Sequence, residues 1–208
     1  MQRGYMEAEE RILKAALKVV NEVTINGTRM HLIAEKAGMV QSNIHYYYKT
    51  KGLLMEGLLK YILDEFHQFQ KKHKVSSEEN LESQLHVYFE QKKHFLSKKK
   101  EYDYAELNFI VQSKIDKNVR VQFEESYTEW RDNIREVIIR FCPEIDEENK
   151  EMIPYLAVSL LEGATIQVLL DQKGFDIDGY FAMAEEMVLN QIRAAVKKQA
   201  KSRETIQE

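Results

Sequence analysis

The sequence predicts an all-α protein of about nine helices, with a helix-turn-helix near its N-terminal end and a longer helical domain after it. Three observations predict it. Gly and Pro are scarce, 8 and 2 among 208 residues, so the chain has few natural breaks. Apolar residues recur at helical spacing, with no period-two strand pattern over most of the length. The stretch from Thr28 to Lys51 reads as two short helices joined by Gly38-Met39-Val40. The second of these carries Gln, Ser, Asn, His and Tyr toward solvent, which core packing alone does not require.

The elements follow in order. Ile12, Ala15, Ala16, Val19, Val20 and Val23 give a first helix over about Glu7 to Val23. Thr28, as an N-cap hydroxyl, opens a second helix through Ala37. A third spans Gln41 to Tyr47. A fourth runs from Lys51 into Lys71-Lys72-His73-Lys74, whose cations complement the helix dipole. Ser76-Ser77-Glu78-Glu79 is a capping box that opens a fifth helix to about Lys100. Tyr102 to Ile115 and Val119 to Phe141 are the sixth and seventh. Cys142 to Asn149 is a loop, with Pro143 as the stop signal. The eighth ends near Asp171, and Pro154 either starts or kinks it. A turn at Gln172-Lys173-Gly174-Phe175 leads to the ninth, from about Asp176 to Lys198. The domain boundary is expected inside the fourth helix or at Val75-Ser76.

Composition narrows the function classes. A hydrophobic fraction of 44% supports a sizeable core. The chain has no uninterrupted run of about 18 apolar residues, so no membrane span is expected. Its start turns acidic where a signal peptide needs an apolar run. The lone Cys142 forms no intrachain disulfide. These features predict a cytoplasmic protein. The net charge of −4 argues against a general nucleic-acid coat. The distribution is more telling: residues 1–75 hold 12 Lys/Arg against 8 Asp/Glu, and the remainder holds 18 against 26. A basic front end on an acidic body suits contact with phosphate at one end only.

A helix-turn-helix has specific packing needs. Ala34 supplies the small residue where the helices cross. Gly38 supplies the positive φ of the turn. Ile33, Ala37, Met39, Ile44 and Tyr47 have the offsets that lock the pair. The run Ile33-Ala34-Glu35-Lys36-Ala37-Gly38-Met39, continued by Asn43-Ile44-His45-Tyr46-Tyr47-Tyr48 to Lys51 and Leu54, resembles the TetR family of bacterial transcriptional regulators. The resemblance covers about residues 7–66 and is weaker over Leu160-Leu161-Glu162-Gly163-Ala164 to Leu169-Leu170-Asp171. Val40 stands where the family often has Ser, Ser42 where it has Gly, His45 where it has Tyr, Tyr48 where it has Phe, and Thr24 where it has Gly.

The resemblance implies a TetR-type DNA-binding domain over 6–66 and a ligand-binding and dimerisation domain over 76–200. It implies a homodimer through about 150–198, double-stranded operator DNA as partner, and a small-molecule effector that releases a repressor. Residues of the helix-turn-helix, about 29–48, then take roles. Lys51 matches the family lysine and is expected on phosphate, joined by Thr28, Arg29 and Tyr47. Tyr48 is expected to pack under the motif. Gln41, Ser42 and Asn43 occupy the turn that faces base edges. Gln and Asn suit adenine N6 and N7. His45 and Tyr46 are placed against a thymine methyl or the sugar-phosphate edge. An effector pocket is expected to draw on Tyr88, Phe89, Tyr104, Phe109, Phe123, Tyr127 and Trp130, because such sites are mostly apolar with a few polar anchors. Leu156, Leu160, Leu161, Ala164, Val168 and Leu169 make helix eight apolar over more than one face. Ile177, Phe181, Ala184, Val188 and Ile192 line helix nine. The pair asks for more cover than one chain provides.

Other functions fit less well. An activator shares every feature named. A helical-bundle metal oxidase needs paired Glu-x-x-His motifs, and only Asp64-Glu65-Phe66-His67 comes near. A Gly-rich phosphate loop and a nucleophile elbow are both missing from the sequence. No cofactor or metal is expected. A protein-binding adaptor leaves the basic front end and the polar third helix unexplained. The expected location is the bacterial cytoplasm, at the nucleoid when bound to operator.

Overall fold

The structure is a computed structural model describing residues 2–73 and 80–207, with side chains over 4–73 and 80–200. Among the described residues there are nine helices and no strands: α1 (Gln2–Gly27), α2 (Met30–Ala37), α3 (Gln41–Tyr47), α4 (Lys51–Lys72), α5 (Leu81–Lys98), α6 (Lys100–Gln112), α7 (Lys117–Phe141), α8 (Glu147–Leu170) and α9 (Ile177–Gln207). They fall into two compact units, Met1–Gln68 with Lys99–Glu125, and Phe69–Lys98 with Ser126–Glu208.

In the first unit α1 packs against α2 and α6, and α2 against α3. Ile12, Ala16 and Val20 of α1 are buried, as are Ile33, Ile44, Leu54, Leu58 and Ile62. Helix α6 adds buried Ala105 and Phe109. Asn21 of α1 ties the two helices polarly, its amide donating to the Glu101 carbonyl at 2.9 Å. This placement of α6 is tertiary: it follows α5 in sequence and its own pattern does not announce a partner.

In the second unit α5, α8 and α9 pack on one another. Phe95, Leu96, Ile134, Ile138, Leu161, Ala164, Val188 and Ile192 are buried there. Lys92 and Glu162 are an ion pair at 2.8 Å with both side chains largely shielded. Helix α8 has the length and apolar composition to cross a membrane. The sequence expectation had excluded such a segment because no uninterrupted apolar run exists. Here the helix is packed in the unit through Ile153, Ala157, Leu161 and Ala164.

Several boundaries differ from expectation; α1 opens at Gln2 and runs to Gly27, beyond the expected Glu7 to Val23 at both ends. Thr28 does not cap α2; the N-cap is Arg29, in extended conformation and without a side-chain cap bond. The Thr28 hydroxyl instead donates to the Thr24 carbonyl at 2.7 Å and closes the end of α1. The capping box at 76–79 lies outside the described residues. Helix α5 opens at Leu81, where Asn80 Oδ1 accepts the Ser83 N–H at 2.9 Å. Helix α8 opens before Pro154, which sits inside it. Asp146 sets that start: its carboxylate accepts the Asn149 backbone N–H at 2.9 Å, so the expected loop loses its last residues to helix. Helix α9 runs on to Gln207, beyond the expected Lys198.

Candidate nucleic-acid interface

Two left-handed positions shape the first unit. Gly38 ends α2 at φ 61°, ψ 41°. Its N–H donates to the Glu35 carbonyl at 3.0 Å and the next N–H, of Met39, to Ala34 at 2.9 Å. That pair of bonds is a Schellman motif, which satisfies carbonyls at the helix end. Thr24 has φ 60°, ψ 172° and breaks α1 just after Val23, the expected last helical residue. A β-branched residue is strained at that φ. Both the backbone N–H of Thr28, at 3.1 Å, and its hydroxyl converge on the Thr24 carbonyl and hold the bend.

The Gly38 turn sets the direction of α3. Ile44 is fully buried and anchors it, so the opposite side of this seven-residue helix faces outward. Gln41, Ser42 and Asn43 lie exposed on its first turn. Val40 precedes them in extended conformation and offers no cap, so α3 begins without a side chain covering its amides. Helix amides left open in this way favour anions.

The aromatic residues divide by role. Tyr48 is half-buried, and its hydroxyl donates to Glu9 of α1 at 2.9 Å. Burial first, and then the Glu9 carboxylate, push the Tyr48 phenol well above its ordinary range, so it stays protonated. Its ring fills the space beside Gly57 of α4, where a Cβ would meet Tyr48 Cε1 at 2.8 Å. Tyr48 therefore packs under the motif, as expected. Tyr46 points outward, 68% exposed, while Tyr47 is intermediate. Tyr5 of α1 joins them, its ring 4.6 Å from Tyr47 and 6.3 Å from Tyr46. Sequence reasoning missed Tyr5, because the first helix was expected to begin after it, at Glu7.

Cations border this face. Lys51 opens α4, preceded by Thr50, whose hydroxyl oxygen accepts the Leu53 N–H at 3.2 Å. Desolvation, and then the positive charge of Arg29, lower the Lys51 ammonium below its ordinary value. Two like charges are thus held near each other, an arrangement that an anion between them relieves. Arg29 is exposed and anchored through Nη1 to the Asn26 and Thr28 carbonyls at 2.7 and 2.9 Å. Thr28 differs from its companions: it is 0% exposed, and its hydroxyl is committed to Thr24, so it lies off the surface offered to phosphate.

The seven aromatic residues expected around an effector do not fall in one unit. Tyr104, Phe109 and Phe123 belong to the first, and Tyr88, Phe89, Tyr127 and Trp130 to the second. Trp130 lies edge-on to Tyr127 at 5.9 Å, with its indole N–H buried and without a hydrogen-bond partner. Burial, and then the charge of Glu136, push the Tyr88 phenol up to about 12. An open groove elsewhere on the second unit is lined by Phe69, His73, His86, His94, Glu90 and Glu185 among others. Its His86 Nδ1 and Glu185 are 3.0 Å apart.

Comparison with known proteins agrees with this geometry. Residues 12–58 match the model of bacterial regulatory proteins, tetR family. The HTH-type transcriptional regulator RutR of Escherichia coli strain K12 is 37% identical over 62 residues, which is 30% of this chain and 29% of RutR. RutR of Shigella flexneri matches to the same extent. The match thus spans under a third of those relatives' length. A TetR transcription regulator from Haloarcula marismortui superposes with a TM-score of 0.75 at 18% identity, over 91% of this chain and 98% of that one. A protein from Saccharomonospora viridis, solved in complex with choline, gives 0.76 at 19% identity over 88% and 96%. At such identities the superpositions establish the fold. Residues 12–58 thus match the model of the tetR family of bacterial regulatory proteins, and the helices of the chain follow the fold of a solved TetR regulator.

Proposed function

We infer that the chain is a homodimeric, sequence-specific DNA-binding regulator of transcription, and specifically a repressor that leaves its operator when a small molecule binds. The observation that carries this is the outward face of α3. Gln41, Ser42 and Asn43 are exposed there, bordered by Arg29 and Lys51. Phosphate contacts from Arg29, Tyr47 and Lys51 would fix the register, while Gln41 to Asn43 would meet base edges. His45 and Tyr46 complete the surface. The DNA-binding domain is assigned to 6–66 and the ligand-binding and dimerisation domain to 76–200.

The second protomer is assigned to α8 and α9. Met152, Leu156, Ile166, Leu170, Met183 and Met187 are exposed on these helices, a patch that favours a second copy over water. Two-fold pairing is what a palindromic operator asks for, with recognition helices about 34–36 Å apart. The effector is assigned to the aromatics of the second unit, Tyr88, Phe89, Tyr127 and Trp130. Trp130, with its buried and unpartnered indole N–H, is the strongest anchor among them. The choline-bound neighbour supports small-molecule binding by this fold. A full switch between 1:99 and 99:1 requires about 5.5 kcal/mol of differential affinity. The protein is placed in the cytoplasm, at the nucleoid while on its operator.

Fluorescence anisotropy with duplexes from the promoter region of its own gene tests the assignment. Salt-sensitive, sequence-selective binding is expected. Replacing Gln41 and Asn43 with Ala should remove selectivity and leave dimerisation intact. Binding that shows neither salt dependence nor sequence preference would reject the function.

A further inference from the structure

Three polar groups form a ladder along the outward side of α3 and its exit. The Gln41 amide nitrogen lies 3.3 Å from His45 Nε2. His45 Nδ1 lies 3.3 Å from the Lys49 carbonyl oxygen. The residues are spaced four apart, so the ladder follows one edge of the helix.

The chemistry of the last group fixes the first. A carbonyl only accepts, so His45 Nδ1 must carry the hydrogen that it donates to Lys49. In the neutral imidazole the other nitrogen, Nε2, is then an acceptor. An acceptor at Nε2 can be met only by the NH2 of the Gln41 amide, not by its oxygen. One N–H of Gln41 is thereby taken by His45. The second N–H and Oε1 remain, side by side on an exposed residue, as one donor and one acceptor in a fixed order.

On the assignment of α3 to the major groove, we propose that His45 is a positioning residue that holds the Gln41 amide in one of its two orientations, and so makes Gln41 a reader of adenine. Adenine presents N7 as acceptor and N6 as donor, which complement the free N–H and Oε1. Guanine presents two acceptors, N7 and O6, so Oε1 meets like charge there. A glutamine released from His45 has both N–H bonds free and can set its NH2 group across guanine N7 and O6. Turning Gln41 costs its bond to His45, and this discriminates against guanine. The position where His replaces the aromatic residue usual in the family therefore acts on sequence choice through its neighbour, which a phenolic side chain there cannot do in the same way.

Selection from a pool of duplexes randomised over about two helical turns, followed by sequencing, tests this with four proteins: wild type, Gln41→Glu, His45→Phe and the double variant. Glutamate only accepts, so Gln41→Glu should move the chosen base from adenine to cytosine at one position per half-site, which identifies the base that residue 41 reads. At that position the wild type should favour adenine over guanine by about tenfold, the low end for a side-chain–base pair. His45→Phe should reduce the ratio to under about threefold there, a larger change than at any other position. The double variant should choose cytosine as strongly as Gln41→Glu alone, because a carboxylate has no wrong orientation to prevent. His45→Leu repeats the test if the phenyl ring does not fold in place. An unchanged adenine preference in His45→Phe overturns the proposal, as does an affinity loss equal at all positions or a double variant that loses cytosine. If the wild type enriches sequences but Gln41→Glu shifts none, Gln41 reads no base and this inference alone falls. If the wild type enriches nothing, the assignment of α3 to DNA falls first.

Discussion

Helices α3 and α8 each turn outward a face that the described chain leaves uncovered, and the two faces are opposite in chemistry. On α3 the exposed groups are the side chains of Gln41, Ser42 and Asn43 with the Tyr46 ring. On α8 they are Met152, Tyr155, Leu156, Ile166 and Leu170, spaced as a helical stripe with the small Ser159 and Gly163 along it. Water satisfies the first set and not the second. In the proposed dimer the apolar stripe takes a permanent partner, and the polar face one that comes and goes. The lengths agree with this: α3 has seven residues fixed by a buried Ile44, whereas α8 has 24 and a full buried side of its own.

The largest effect should come from the apolar side. Leu156→Glu combined with Ile166→Glu places four charges in the proposed two-fold interface and should give monomers in sedimentation at micromolar concentration. Operator affinity should then drop by at least about 100-fold, the loss of linked binding, with helicity kept. A dimer that survives this change would mean that the stripe is covered in some other way.

Smaller effects separate the turns that aim the polar face. Gly57→Ala drives a methyl group into the Tyr48 ring and should cost about 1–3 kcal/mol in urea unfolding, since the ring is held by Glu9. Gly38→Ala meets no atom within 4 Å, so its cost should be conformational only, about 1–2 kcal/mol. Thr24→Gly should act in the opposite sense and stabilise by about 1 kcal/mol, by relieving a φ that suits glycine. Equal signs for Gly38→Ala and Thr24→Gly would show that Thr24 is better supported by Thr28 than its dihedrals imply.

On the polar side, Lys51→Ala should weaken binding to all duplexes alike and lower the slope of log affinity against log salt by about one per protomer. A change confined to one operator base pair would move Lys51 from phosphate to base contact. The mildest effect is a pH dependence of the second unit. Hydrogen bonds from the Asn149 backbone and then its side chain lower the Asp146 carboxyl, and the Lys150 side chain lowers that of Glu147. A depressed folded-state value means that the stabilisation is complete above the ordinary carboxyl range and is lost as pH falls through the folded value. Acid unfolding of Asp146→Asn should therefore show a shallower pH dependence than wild type.

Much of the architecture was legible in the sequence because it is local. Helical spacing in α1, the glycine of the αL turn that ends α2 and the limits of α3 and α4 depend on residues within a few positions of one another. The exposed polar turn of α3 was legible for the same reason: burial of Ile44 fixes where Gln41 to Asn43 point. Thr28 misled because its hydroxyl had two possible partners, the amides of α2 ahead or the Thr24 carbonyl behind. Only the bend at Thr24 chose between them. Tyr5 and the two-unit distribution of the aromatics were not legible at all, since a ring's neighbours across the fold leave no trace in its own surroundings.

The sequence by itself determined the all-helical class, the helix-turn-helix and the residues on its outward turn, through periodicities and a glycine whose effects act over one or two turns of helix. Tertiary structure alone decided that α6 packs on α1, that Thr28 is buried and Arg29 caps α2, and that His45 lies between Gln41 and the Lys49 carbonyl. Those outcomes depend on which of several equally suitable partners comes within hydrogen-bond or packing distance, and that is set by the packed backbone.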